Sequence, residues 1–255
     1  MIVVERNDAV VTLTIDRQER RNALNGELCD LLTTALGEHD DARAIVITGA
    51  GSAFCSGADL VTRFGAGNAD GVATDTFRPR FEVLLDAVVD HAAPVIAAIN
   101  GPAMGAGMQL AVACDLRVAR PDARMAIPGG RLGILLSPTN IWRLAALVGH
   151  GLARDFLLTG REVDGATAQT IGLVQRLADD PLAAAGDLAA HIASLAPLTV
   201  RGHKRALNLV SRETALGAPA RDEIAALEAA AFASEDLVEG TAAFAEKRPP
   251  VFRGR

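Results

Sequence analysis

Two stretches of this 255-residue chain, Ala44-Ile-Val-Ile-Thr48 and Pro94-Val-Ile-Ala-Ala-Ile99, are short, almost wholly apolar and followed by glycine-containing turns. A strand of this kind has no polar face to offer to water. It must be covered on both sides, as in a parallel sheet packed between helices. Helical patterns alternate with these runs. Asn25 is placed to cap a helix whose buried face takes Leu28, Leu31, Leu32, Ala35 and Leu36, and a second helix carries Phe77, Phe81, Leu84, Leu85 and Val88 on one side. A β-hairpin is expected at the start, where residues 2–5 and Val10–Ile15 flank a turn at Asn7 and Asp8, and another strand at Asp115–Ala119. The order predicts an α/β core with mostly parallel strands.

Beyond Ser137 the strand signals nearly vanish. Ser137-Pro138 reads as a helix start, with Ile141, Leu144, Ala145 and Val148 on one face, and Asp164 caps a helix that Gly172 ends. Residues 181–196, 199–211, 221–233 and 235–246 follow as helices by periodicity and alanine content. The expected organisation is a core over 1–195 and a helical region over 196–255. Residues 65–75, with Gly65, Gly67 and Gly71, are the most loop-like stretch and a candidate flap.

Charge and cysteine content narrow the function. Lys plus Arg total 25 against 31 Asp plus Glu, a net charge of −6, which argues against a broad nucleic-acid surface but leaves room for a local basic pocket. Cys29, Cys55 and Cys114 lack the spacing of a zinc site or a disulfide framework. No signal-peptide pattern opens the chain and no apolar run approaches a membrane span, so a cytoplasmic protein is expected. Gly49-Ala-Gly51 begins like a dinucleotide fingerprint, but Phe54 stands at the third glycine position. The five histidines show no metal-ligand pairing, and Ser56 lacks the glycine elbow of a serine hydrolase, so neither a metal nor a catalytic triad is expected.

Two glycine-rich turns carry the stronger signal: Ala53-Phe-Cys-Ser-Gly-Ala-Asp-Leu60, and Asn100-Gly-Pro-Ala-Met-Gly-Ala-Gly-Met-Gln-Leu110 leading to Cys114-Asp115. Each places small residues at a strand-to-helix junction, where free backbone N–H groups can face an anion; close helix packing is the alternative use of such residues. Together, and in this order, they resemble the signature of the enoyl-CoA hydratase/isomerase (crotonase) superfamily. The resemblance extends from Glu19-Arg-Arg-Asn-Ala-Leu-Asn25 to Phe244-Ala-Glu-Lys-Arg248. It implies a spiral of ββα units (the ClpP/crotonase-like α/β fold) with a C-terminal helical trimerisation region, and a homotrimer or dimer of trimers. It also implies an oxyanion hole for an acyl-CoA thioester at the amides of Ala58 and Ala106. Coenzyme A enters as part of the substrate, with no separate cofactor. The binding surface implied lies around Arg21, Ala23, Leu24 and Ser56, with Phe244 and Lys247 supplied by a neighbouring subunit.

The chain also departs from that pattern. The resemblance places the two glutamates of a hydratase at Gln109 and Gly129, and the single isomerase glutamate at Gly129. An amide can hold water but cannot take its proton, and glycine has no side chain. Asp59 is the substitute acid considered, although helix capping is a common use of an acid there. Leu132, Leu136 and Trp142 suit either core packing or an acyl-chain pocket. The Gly105-x-Gly107-x-Gln109-Leu110 departure resembles some actinobacterial members of the family. The expectation is a fatty acyl-CoA binder of lipid metabolism that is weak or inactive as a hydratase. The alternative is an active hydratase or another enolate-forming enzyme with a substitute acid–base group.

Overall fold

The computed structural model describes residues 1–60, 75–213 and 232–251, together with positions 222, 225, 226, 229 and 230. The flap reading of 65–75 falls almost entirely outside the described residues, as does most of the helix expected over 221–233.

The hairpin forms as β1 (Ile2–Asn7) and β2 (Val10–Ile15), with Asp8 left-handed in the turn. Helix α1 (Gly26–Glu38) starts where the Asn25 side chain accepts from the Leu28 N–H. Leu31 is a correction: it is 41% exposed, and Cys29 is buried instead. At about 100° per residue, Leu31 falls outside the stripe defined by Ala35, Leu28, Leu32, Leu36 and Cys29. Next come β3 (Ala44–Gly49), α2 (Phe77–Asp90), β4 (Val95–Ile99), β5 (Ala103–Met104) and α3 (Ala106–Ala113). The middle of the chain holds β6 (Leu116–Ala119), β7 (Met125–Ala126), α4 (Pro138–Thr159), β8 (Glu162–Val163), α5 (Gly165–Thr170) and β9 (Arg176–Leu177). Three helices end it: α6 (Pro181–Ser194), α7 (Pro197–Glu213) and α8 (Glu235–Glu246).

The main sheet has the order β1-β2-β3-β4-β6-β9, antiparallel only in the opening hairpin, and β5-β7-β8 make a small second sheet. β3 and β4 are buried along their whole length, as their composition requires. Their side chains divide between two cores. Ile45, Ile47, Val95, Ala97 and Ile99 join the large cluster with α1, α2 and α3, while Ala44, Val46, Ile96 and Ala98 pack under Ala185, Leu188 and Ala189 of α6. The sheet's second face is therefore covered by α6, and the chain then bends by 110° into α7. Among the described residues, no single helix is long and apolar enough to cross a membrane.

α7 is fastened to the core by Lys204, which is 6% exposed. Its ammonium donates to the carbonyls of Val88 (3.2 Å) and Ala93 (3.1 Å) and to the Asp115 carboxylate (2.7 Å). That carboxylate also accepts from the Val95 N–H at 2.7 Å, so Asp115 is a structural residue just before β6. α8 packs across the loop before α4. There Gly240 meets the backbone of Leu132 so closely that a Cβ would lie 2.8 Å from its carbonyl carbon.

Two outcomes check this packing. Replacing Lys204 by Met strands Asp115 and two carbonyls, and should cost about 3 kcal/mol in urea unfolding; an unchanged midpoint would contradict the anchoring role. Burial pushes the thiols of Cys29, Cys55 and Cys114 up to about 12. The native protein should therefore release no chromophore from a disulfide reagent at pH 8 until denaturant is added.

Candidate active site

The two glycine-rich turns are joined by backbone pairing. Cys55 and Ala103 form a parallel bridge, with the Cys55 N–H donating to Pro102 O (3.0 Å) and the Met104 N–H donating to Cys55 O (2.9 Å). Ala58 and Ala106 each stand three residues beyond this pair, so the bridge brings their amides to the same end of the assembly. The chain turns sharply at Gly57 (φ 115°) and Gly105 (φ 54°), conformations that a side chain would strain. These glycines face each other: a Cβ on Gly57 would lie 3.1 Å from Met104 O and 4.0 Å from the Ala106 nitrogen. Ala106 opens α3, where its N–H has no partner within the helix. Ala58 is fixed from behind by Leu24, whose N–H donates to Gly57 O (2.8 Å) and whose carbonyl accepts from the Asp59 N–H (2.7 Å). Two amides brought together in this way can hold a developing oxyanion.

These amides open on a cavity of about 550 Å³. Phe77 and Phe81 of α2, with Ile127, Leu132, Ile134, Leu135 and Leu136, supply its apolar wall. Arg20, Arg21, Ala23 and Ser56 line it from the turn before α1, and Arg20 and Arg21 are exposed. That turn is held by Asn22, which is fully buried; its side chain accepts from the Arg17 N–H (3.0 Å) and donates to the carbonyls of Ala50 (2.9 Å) and Ala53 (2.7 Å). Arg21 and Asn22 are both left-handed, a strained pair kept in place by these bonds. Asn22 was not singled out from sequence, where asparagine before a helix reads only as a turn residue.

Gln109 and Gly129 both line the cavity. The Gln109 side-chain amide donates to Gly105 O at 3.3 Å. Gly129 begins a tight loop in which its carbonyl accepts from the N–H groups of Leu132 and Ile134, each at 3.0 Å. A Cβ on Gly129 would stand 2.5 Å from Ile134 O. The same loop carries Leu132 to Leu136 into the cavity wall.

Leu24 and Trp142 differ from expectation. Leu24 is fully buried behind Ala58 and supports the amide from there. Trp142 borders a separate cavity of about 500 Å³ with Asp86, Asp115 and Asn208. On α4 it lies about 200° around the axis from the buried Asn140, so it faces the other way. Phe244 lines the cavity of its own chain, because α8 folds back over the 132–133 loop. Lys247 is the exposed left-handed cap of α8, away from the described lining.

Of the acidic side chains that line the cavity among the described residues, Asp59 is 6% exposed and paired with Arg17 at 2.7 Å. The other, Glu82 of α2, was not anticipated; it sits at the flank of an apolar stripe, where an acid normally reads as solvated. Its carboxylate accepts from the Asn140 side-chain amide at 2.9 Å. Burial pushes the Glu82 carboxyl up, opposed by a hydrogen bond with Ser137 and by the charges of Arg143 and Arg78, and reinforced by Asp86.

Comparison with known proteins agrees with this geometry. The profile of the enoyl-CoA hydratase/isomerase family matches residues 5–255. "Probable enoyl-CoA hydratase echA6" of Mycobacterium tuberculosis is 44% identical over the full length of both chains. "Probable enoyl-CoA hydratase echA8" of the same species is 37% identical, covering 100% of this chain and 98% of that one. An enoyl-CoA hydratase/isomerase structure from Pseudoalteromonas atlantica superposes with a TM-score of 0.84 at 32% identity, over 99% of each chain. Methylmalonyl-CoA decarboxylase in complex with 2-nitronate-propionyl-CoA superposes with a TM-score of 0.89 at 21% identity, covering 100% of this chain and 98% of that one, a likeness of fold. The chain belongs to the enoyl-CoA hydratase/isomerase (crotonase) superfamily.

Proposed function

We propose that this protein binds a fatty acyl-CoA thioester and is weak or inactive as an enoyl-CoA hydratase. The thioester oxygen lies on the amides of Ala58 and Ala106, the acyl chain runs along Leu132, Ile134 and Leu136, and Arg20 and Arg21 meet the phosphates of coenzyme A at the cavity edge. The observation that carries this reading is the Cys55–Ala103 bridge, which joins two amide-bearing turns over an apolar cavity lined also by Gln109 and Gly129, where the family resemblance puts the two hydratase glutamates. Hydration needs a group to take a proton from water and one to deliver it to carbon; an amide and a glycine do neither. A cytoplasmic role in lipid metabolism fits the buried thiols. Assembly into a trimer fits the exposed Leu198, Leu207 and Val210 of α7.

The test combines calorimetry with octanoyl-CoA and the decay of enoyl absorbance for short- and long-chain 2-enoyl-CoA on the same preparation. Saturable binding without enzymatic hydration is expected. Rapid hydration would overturn the inactive reading, and absence of binding would overturn the assignment as a whole.

Gly129 yields a sharper prediction. Because its Cβ meets a backbone oxygen, Gly129→Ala should destabilise the protein by about 1–3 kcal/mol, whereas Gln109→Glu should leave the thermal midpoint nearly unchanged. The double variant Gln109→Glu, Gly129→Glu should accordingly gain no hydratase turnover. Recovered turnover would mean that the 129–136 loop opens readily.

A further inference from the structure

Among the described residues, two acidic side chains line this cavity, Asp59 and Glu82. Asp59 lines the same cavity but is committed to Arg17, whose guanidinium also donates to Ala23 O at 3.1 Å. Glu82 is held differently. It receives a neutral amide N–H from Asn140, and Asn140 is itself fixed, 4% exposed, with its side-chain oxygen accepting from Arg143 at 2.9 Å. Arg143 in turn pairs with Asp86 at 2.6 Å, which directs that cation's charge to the next turn of α2 and leaves Glu82 without a direct ion pair from it. Asn140 and Arg143 also border a small gap next to Gln109, so the cluster adjoins the α3 turn that carries the Ala106 amide. The result is a carboxylate oriented by a rigid amide and lining the same mostly apolar cavity as Ala58 and Ala106. A general base needs this combination: a fixed position, basicity that is not spent on a cation, and a place for the charge it creates.

We propose that Glu82 is an acid–base residue that moves a proton at the α-carbon of the bound thioester, with Asn140 as its positioning residue. The proposal rests on the thioester-binding reading above and adds a reaction to it. The Cα–H bond breaks as a carboxylate oxygen of Glu82 takes the proton. The electron pair forms a Cα=C double bond, and the carbonyl pair moves onto oxygen, where the Ala58 and Ala106 amides hold the enolate. Reversal returns a proton from Glu82 to Cα and regenerates the thioester. No water adds and no oxidant or metal is needed, so the step is open to a protein that has lost the water-handling glutamates.

The experiment is exchange of the α-hydrogens of octanoyl-CoA in D2O, followed by mass spectrometry of the recovered thioester, with binding measured by calorimetry under the same conditions. The wild-type protein should incorporate deuterium at Cα well above the rate without protein. Glu82→Gln keeps an oxygen to accept from Asn140 and should lower exchange by roughly 10²–10⁴-fold with octanoyl-CoA affinity unchanged. In Glu82→Ala, added formate should restore part of the exchange, which a purely structural role for Glu82 would not allow. Binding without exchange in the wild type, or full exchange in Glu82→Gln, would overturn the proposal and leave the binding reading intact. Failure of octanoyl-CoA to bind would overturn both.

Discussion

The pairing of Cys55 with Ala103 is the contact on which the rest of the site depends. Each residue belongs to a different crossover of the main sheet, and neither side chain does chemistry. Their backbone bonds nevertheless set the two turns in register, so that the small residues three positions downstream in each, Ala58 and Ala106, line one cavity. The energetic logic is preorganisation: the N–H groups are oriented by folding, so little reorganisation remains when negative charge reaches them. Leu24 behind Ala58, and the bonds from Asn22 to Ala50 and Ala53, extend the same rigidity to the arginine-bearing turn at the cavity edge.

Much of the architecture was legible in the sequence because it follows from burial. Runs such as Val95–Ile99 can satisfy their composition only between two cores, and the Asn25, Ser137 and Asp164 caps are local hydrogen bonds whose partners lie three residues away. The positions of Ala58, Ala106, Gln109 and Gly129 were legible through the glycine pattern and the family resemblance. What escaped were features set by rotation and by distant packing. Leu31 and Trp142 are apolar residues on helices whose buried stripe runs beside them, and a residue's phase is fixed only when its neighbours are in place. That Phe244 lines the cavity of its own chain was also hidden, because periodicity says which face of α8 is apolar but not which core receives it. Glu82 was invisible for a related reason: its partner Asn140 is 58 residues away.

Gly129 shows how tightly one wall of the cavity is built. The loop that folds against it brings Leu132 through Leu136 to the cavity, and it closes so tightly that a carbonyl oxygen occupies the space a side chain would need. The apolar wall and a glutamate at this position are therefore competing solutions to one volume, and the chain has taken the apolar one.

The return of α8 over the cavity has a consequence for how the protein is made. In the order of synthesis, residues 20–23 and 56–58 come well before Phe244 and the helix that backs the Leu132 loop. A growing chain can form the sheet and the bridged turns long before it can finish the container around them. The cavity is thus enclosed only once α8 is present, and a product truncated before α8 would present the amide pair in an open trough with part of its wall missing.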